Sequence, residues 1–187
     1  SRGDEVTQIQ TKLKRWGYYT GSIDGIYGTQ TQKAVRYFQS KNGLTVDGIA
    51  GKNTLAAMGI YSSSNSNSNS SYSTNLNLLA RLVHGEARGE PYAGQVAVAA
   101  VVLNRVKSSS FPNTIAGVIY QKGAFTAVSD GQINMSPDST SKKAAQDALN
   151  GWDPSYGAIY YFNPNTATNK WIWSRPMTVT IGNHRFC

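Results

Sequence analysis

Residues 62–75, SSSNSNSNSSYSTN, carry no charge and almost no apolar side chain, and this tract constrains the chain more than any other feature. A segment of that composition has too little surface to bury to offset its ordering entropy, so it is expected to be a flexible linker. The chain of 187 residues is therefore expected to divide into a small module (1–60), a Ser/Asn-rich linker (61–75) and a larger module (76–187), and only the last is long enough for a sizeable core.

The net charge of +8 divides evenly, with eight Lys/Arg against four Asp/Glu in residues 1–60 and ten against six in residues 76–187. Two mildly basic modules suit an anionic polymer such as nucleic acid, teichoic acid or peptidoglycan. The absence of a dense Lys/Arg cluster argues against dedicated nucleic-acid binding. No apolar run approaches the roughly 18 residues of a membrane span, and no basic and apolar leader follows Ser1, so a soluble chain is expected whose leader was removed or lay upstream. Cys187 is the only cysteine, which excludes an internal disulfide and a thiolate metal cluster.

The small module contains a repeat: Asp24-Gly-Ile-Tyr-Gly-Thr-Gln-Thr-Gln-Lys-Ala34 is matched by Asp47-Gly-Ile-Ala-Gly-Lys-Asn-Thr-Leu-Ala-Ala57. Each copy reads as a glycine-bearing turn leading into a helix. Val6, Ile9, Leu13 and Trp16 share one helix face and Ala34, Val35 and Phe38 another, which predicts three short helices around one core. The Asp-Gly pairs lack the alternating ligands and distal Glu of an EF-hand, so the aspartates are expected to fix turns and not calcium. No catalytic constellation occurs here. Tyr18, Tyr19, Tyr27 and Arg36 are the exposed candidates for contact with a sugar or peptide polymer.

The pattern Leu13, Gly17-Tyr-Tyr, Gly21, Ile23-Asp-Gly, Gly28, Thr31, Ala34-Val, Phe38-Gln, Gly43-Leu and Asp47-Gly-Ile, with Gly51 and Thr54, resembles the three-helix peptidoglycan-binding domain of bacterial wall hydrolases over residues 4–59. That resemblance, and not the charge, implies a cell-wall ligand.

In the larger module, Leu79, Leu82, Val83 and Glu86 follow helical spacing, so a carboxylate ends an apolar face. Withdrawing a carboxylate from water penalises its charged form, which makes such a position suited to a general acid. The alternative is a glutamate at a fraying helix end beside Gly85, paired weakly with Arg81 or Arg88. Pro91 predicts a new helix, and Tyr92 to Val106 is apolar almost all round, as in a buried central helix. A short helix after Phe111, a loop Lys122–Val128 and an exposed helix Ser141–Leu149 that carries Ala144, Ala145 and Leu149 inward follow. Ala158–Asn163 and Met177–Ile181 read as strands, and between them Trp171 and Trp173 either wall a sugar cleft or close a small core.

Among chemistries, His84-x-Glu86 is not the H-E-x-x-H of zinc proteases and the only other histidine, His184, is remote, so no metal site and no cofactor are expected. No G-x-S-x-G elbow supports a serine nucleophile. Acid catalysis on a glycosidic bond remains, for which most enzymes use two flanking carboxylates roughly 5–10 Å apart. Glu86 and Glu90 lie four residues apart on one segment and would approach a sugar from the same side, so one glutamate acting in turn as acid and base, with a substrate group as nucleophile, fits better.

His84-Gly-Glu-Ala-Arg-Gly-Glu-Pro91, Gly94-Gln-Val-Ala-Val-Ala-Ala-Val-Val-Leu-Asn-Arg-Val106, the loop with Phe125 and the ending Ile181-Gly-Asn-His-Arg-Phe186 are similar to the SleB-type spore cortex-lytic hydrolases over about residues 76–187. The resemblance implies a mainly α chain with a small β element, the three-helix domain being joined to a lysozyme-like α+β catalytic domain. It also implies cleavage of the MurNAc–GlcNAc bond of cortex peptidoglycan during germination as a lytic transglycosylase, giving 1,6-anhydro-muramic ends. Glu86 matches the catalytic glutamate, and Glu90, Phe125, Thr126, Tyr161 and Asn163 are the candidate substrate contacts. Ala124 stands where a glutamine is expected before the phenylalanine. The resemblance further implies an exported monomer in the spore envelope, with peptidoglycan and an inhibitory or stabilising spore protein as partners and no nucleic acid. A hydrolytic muramidase, a zinc-dependent N-acetylmuramoyl-L-alanine amidase and a non-catalytic wall-binding protein are the alternatives.

Overall fold

The computed structural model describes residues 3–60 and 66–187, with residues 66–70 in backbone only. The chain forms two compact units, residues 1–64 and 65–187. The first five residues of the expected linker, 61–65, lie outside the described residues.

The first unit holds the three expected helices, α1 (Gly3–Arg15), α2 (Thr29–Lys41) and α3 (Lys52–Ala57). Their apolar stripes meet as read from the spacing: Val6, Ile9, Leu13 and Trp16 are buried with Ala34, Val35, Phe38 and Leu55, and Trp16 stacks on Phe38 at 5.6 Å.

What fixes the two repeat loops is a pair of buried glutamines that periodicity does not single out. Gln10 on α1 points its amide nitrogen at Asp24 Oδ1 (2.7 Å), the Ile26 carbonyl (3.0 Å) and Thr31 Oγ1 (3.0 Å), while its oxygen accepts from the Gly25 N–H (2.9 Å). Gln39 on α2 repeats the pattern with Asp47 Oδ1 (2.7 Å), the Ile49 carbonyl (3.0 Å), Thr54 Oγ1 (3.0 Å) and the Gly48 N–H (2.8 Å). Asp24 and Asp47 also accept from the Ile26 and Ile49 N–H groups, as turn-forming aspartates do. Gly25 and Gly48 adopt φ of 70° and 72°, a conformation that favours glycine.

The second unit begins with α4 (Ser66–Ala87), so the chain is already helical through residues 66–75, where composition predicts a coil. Tertiary contact accounts for the difference: Tyr72 hydrogen-bonds Gln146 of α8 (Ser139–Leu149), and packing overrides the poor propensity of Ser and Asn. Leu79, Leu82 and Val83 are fully buried, as their spacing predicts. After Gly89 and Pro91, α5 (Tyr92–Lys107) runs through the middle of the unit. It is apolar all round because two cores share it. Val96, Ala99 and Val102 face a helical core with α4, α6 (Ile115–Ile119) and α8, while Ala97, Val98 and Val101 face a second core with Ala158 and Phe186.

As expected, α8 turns Ala144 and Ala145 inward, against α4 and α5, and keeps Lys142 and Lys143 exposed. Its Asp147 is buried and accepts from the Tyr92 hydroxyl at 2.7 Å. The short helices α7 (Thr126–Ser129) and α9 (Lys170–Trp173) complete the helical part. A small antiparallel sheet has the order β1 (Tyr161–Phe162), β3 (His184–Phe186), β2 (Val179–Ile181). The two expected strands are its edges; the central β3, with polar His184 and Arg185 on either side of the pleat, gives no apolar run to read. Tyr161 pairs with Phe186 and Thr180 with Arg185.

Candidate active site

Glu86 lies in the last turn of α4 and is half-buried in a cleft of about 360 Å³ lined by Gly85, Arg105, Ala124, Thr126, Gln132, Tyr161, Phe162, Asn163, Thr166 and His184. It is the only carboxylate in that lining. Both its oxygens are held: Oε1 accepts from the Ala127 N–H at 2.6 Å and Oε2 from the Tyr161 hydroxyl at 2.7 Å. The first bond requires α7 to lie against the end of α4, and Gly85 permits this, since a Cβ there would stand 2.6 Å from Ala127 Cβ. The second comes from β1, which reaches the cleft because β3 ties it to the core beneath α5. Burial, the adjacent Glu86 charge and the bond to it all push the Tyr161 phenol well above its ordinary value, so it remains a proton donor.

Apart from Ala124 and Phe162, the remaining side chains of the lining are polar. Asn163 Oδ1 accepts from the Asn165 N–H, which leaves its amide nitrogen as a donor. Gln132 donates to Asp130 at 2.6 Å, while its own Oε1 is a buried acceptor without a protein partner. His184 is buried against Tyr161, with ring centres 5.0 Å apart. Burial lowers its pKa against the opposing charges of Glu90 and Glu86, and Nδ1 has no partner.

Of the residues expected from sequence, Glu86, Thr126, Tyr161 and Asn163 come together in the cleft. Two do not. Phe125 is buried behind the wall with the Arg105 guanidinium 5.1 Å from its ring centre, because the chain turns its neighbours Ala124 and Thr126 to the cleft instead. Glu90 is turned away to the β2–β3 turn, where its oxygens accept from the N–H and the side-chain amide of Asn183, each at 2.9 Å. Burial alone would raise the Glu90 pKa, but the Asn183 bonds, with the nearby His184, leave it lowered. Trp171 and Trp173, 49% and 44% exposed, stand outside the lining and pack on Tyr160 and Phe162 around Ile172, which favours the small-core reading.

Sequence reasoning missed Arg105, Gln132 and Thr166, and left His184 with the fold. Arg105 had a signal: it follows Val98, Val101 and Val102 at helical spacing on a buried face, where a solvated arginine does not belong.

In the first unit, Tyr27 lines a groove of about 620 Å³ with Val6, Ile9, Ile26 and Ile49, and its hydroxyl donates to the Gly48 carbonyl at 3.0 Å. Burial pushes its phenol up to about 12. Arg36 is exposed and donates to the Val46 carbonyl at 3.2 Å. Tyr18 is half-buried, edge-on to Tyr37 and Phe38. Tyr19 is a correction: expected on the surface, it is only 6% exposed, because its hydroxyl donates to the Ser22 carbonyl beside Gln10.

Residues 89–187 match the Cell Wall Hydrolase family and residues 2–58 the putative peptidoglycan binding domain, so Glu86 precedes the matched hydrolase stretch. A spore cortex-lytic enzyme of Bacillus cereus is 49% identical over 215 residues, covering 99% of this chain and 83% of that protein. The chain belongs to the spore cortex-lytic enzyme family. Two solved structures resemble it at 63% identity with a TM-score of 0.59. One is the catalytic domain of the Bacillus cereus SleB protein, covering 62% of this chain and 90% of that one. The other is the catalytic domain of the germination-specific lytic transglycosylase SleB from Bacillus anthracis, covering 60% and 93%.

Proposed function

We propose that this member of the spore cortex-lytic enzyme family is a lytic transglycosylase that cleaves the MurNAc–GlcNAc bond of cortex peptidoglycan during germination, with Glu86 as its single acid and base. The observation that carries the reading is that Glu86 is the only carboxylate lining the cleft, held by Tyr161 and Ala127. Glycosidases with two working carboxylates place both at the scissile bond. Here the nearest sequence candidate for a second, Glu90, is engaged by Asn183. In the proposed reaction, protonated Glu86 gives its proton to the glycosidic oxygen as the C1–O bond breaks. The C6 hydroxyl of the same muramic residue then attacks C1 and returns its proton to Glu86, so no water is consumed and a 1,6-anhydro end forms. The Tyr161 and Ala127 donors support the carboxylate form between the two transfers.

The groove at Tyr27, with Arg36 beside it, is the proposed wall-binding surface that keeps the enzyme on its polymer. The substrate implies export to the spore envelope. A zinc amidase is the less supported alternative, since among the described residues no three His, Cys, Asp or Glu side chains converge at ligand spacing. Glu86→Gln is expected to lower release of soluble fragments from cortex at least 1,000-fold with the melting temperature unchanged, and mass spectrometry of the wild-type products is expected to show anhydro-muramic ends. Near-normal release by the variant sinks the assignment of Glu86; reducing ends alone replace the transglycosylase with a hydrolytic muramidase.

A further inference from the structure

The cleft contains one cation that the protein does not neutralise. Arg105, in the last turn of α5, is 6% exposed, and its Nε donates to the Ile159 carbonyl at 2.7 Å. Its guanidinium carbon lies 5.1 Å from the ring centres of Phe111, Phe125 and Tyr160. No carboxylate among the described residues forms an ion pair with it, and the one acid in the cleft, Glu86, is committed to Tyr161 and Ala127. Arg105 nonetheless lines the cleft.

Burying an unpaired cation costs several kcal/mol. Aromatic faces offset only part of that. A purely structural strut between α5 and residue 159 needs only the Nε donor, which a neutral side chain supplies without the desolvation cost. The charge is instead kept among three aromatic rings at the wall of the cleft. A fixed, planar fork of N–H donors is the geometry that binds a carboxylate through two parallel bonds.

We propose that Arg105 is a specificity-determining residue that binds a carboxylate borne on the side chain of a substrate sugar. In a muramic-acid glycan this is either the lactyl carboxylate itself or the terminal carboxylate of a short peptide attached to it; the chemistry is the same. The identity of the substrate rests on the glycan-cleaving reading above, whereas the recognition is tested by binding alone.

The Glu86→Gln protein, which retains the cleft without turnover, is titrated calorimetrically with three GlcNAc–MurNAc tetrasaccharides: one with free lactyl carboxylates, one with these amide-linked to L-alanine, and one with them converted to neutral primary amides. At least one carboxylate ligand is expected to bind at least tenfold tighter than the neutral one, and the tighter of the two identifies the source. Adding Arg105→Gln is expected to remove that preference while leaving affinity for the neutral ligand within about twofold. Equal affinity for all three in the protein that keeps Arg105 overturns the proposal without depending on the folding of any Arg105 variant. Binding of none of the three overturns the glycan reading together with it.

Discussion

Glu90 separates a substrate-binding role from a structural one, because sequence reasoning puts it beside Glu86 and the structure puts it on the β2–β3 turn. In Glu90→Ala the Asn183 N–H and side-chain amide lose acceptors at 2.9 Å each. Hydrogen bonds to a charged group contribute about 1.5–3 kcal/mol when shielded. This carboxylate is partly open to water, and screening reduces each to about 1 kcal/mol, so the variant is expected to lose about 2 kcal/mol. At roughly 4 °C per kcal/mol for a domain of this size, the second unit is expected to melt about 8 °C lower at pH 7. Glu90→Gln is expected to cost less than half of that, since an amide oxygen still accepts from the Asn183 N–H while the Asn183 side chain can rotate to accept from the new amide.

The pH dependence is a second arm of the same test. The folded pKa of Glu90 lies below its ordinary 4.5, so its contribution is fully present above that value and is lost as pH falls through the folded one. The melting temperatures of wild type and Glu90→Ala should therefore converge below pH 4.5. Turnover on cortex fragments, measured at 20 °C where both proteins are folded, should keep kcat and KM within about threefold. An unchanged melting transition with a tenfold rise in KM refutes this reasoning and returns Glu90 to the substrate.

Tyr161→Phe removes the donor to Glu86 Oε2 without emptying the packing against Phe186 and His184; kcat is expected to fall about 10–100-fold with KM little changed, the equivalent of about 1.5–3 kcal/mol. Gln39→Leu strips a buried amide from Asp47, Ile49, Gly48 and Thr54, and is expected to cost the first unit about 3–5 kcal/mol, so that its circular dichroism and wall binding are lost while the second unit still cleaves short glycans. His184 has a folded pKa lowered from 6.5, so the unfolded chain takes up its proton first and stability falls as pH drops from 6.5 toward the folded value. His184→Phe is expected to flatten the melting temperature between pH 6.5 and 5, and an unaltered slope there counts against a buried neutral imidazole.

The parts of the molecule legible in the sequence are those fixed by periodicity. Leu79, Leu82 and Val83 announce the buried face of α4, and the uninterrupted apolar run of α5 announces a helix buried on all sides. What was not legible depends on polar groups that choose partners far along the chain. Gln10 and Gln39 look like surface residues until two loops fold over them. Glu90 belongs to the same short motif as Glu86, yet Gly89 turns the chain between them, and Asn183, remote in sequence, takes the second carboxylate. Tyr19 sits next to the partly exposed Tyr18, and adjacency hides that one faces the core. The helix through residues 71–75 is the reverse case, since local composition speaks for coil and only the contact of Tyr72 with α8 decides otherwise.

The cleft is built where three separate segments need the same place. α4 is anchored by its apolar face, so its last turn has a fixed direction and carries Glu86 to the rim. Gly85 leaves room for α7, whose backbone then holds one carboxylate oxygen. β1 cannot pack by itself; it arrives by pairing with β3, whose Phe186 fills the core on the far face of α5, and it brings Tyr161 to the other oxygen. The acid is therefore oriented by two donors from different elements, one from α7 and one from β1. It follows that enlarging Ala97 or Val98, which are fully buried on the sheet side of α5, should shift Tyr161 and lower kcat without altering a single residue that lines the cleft.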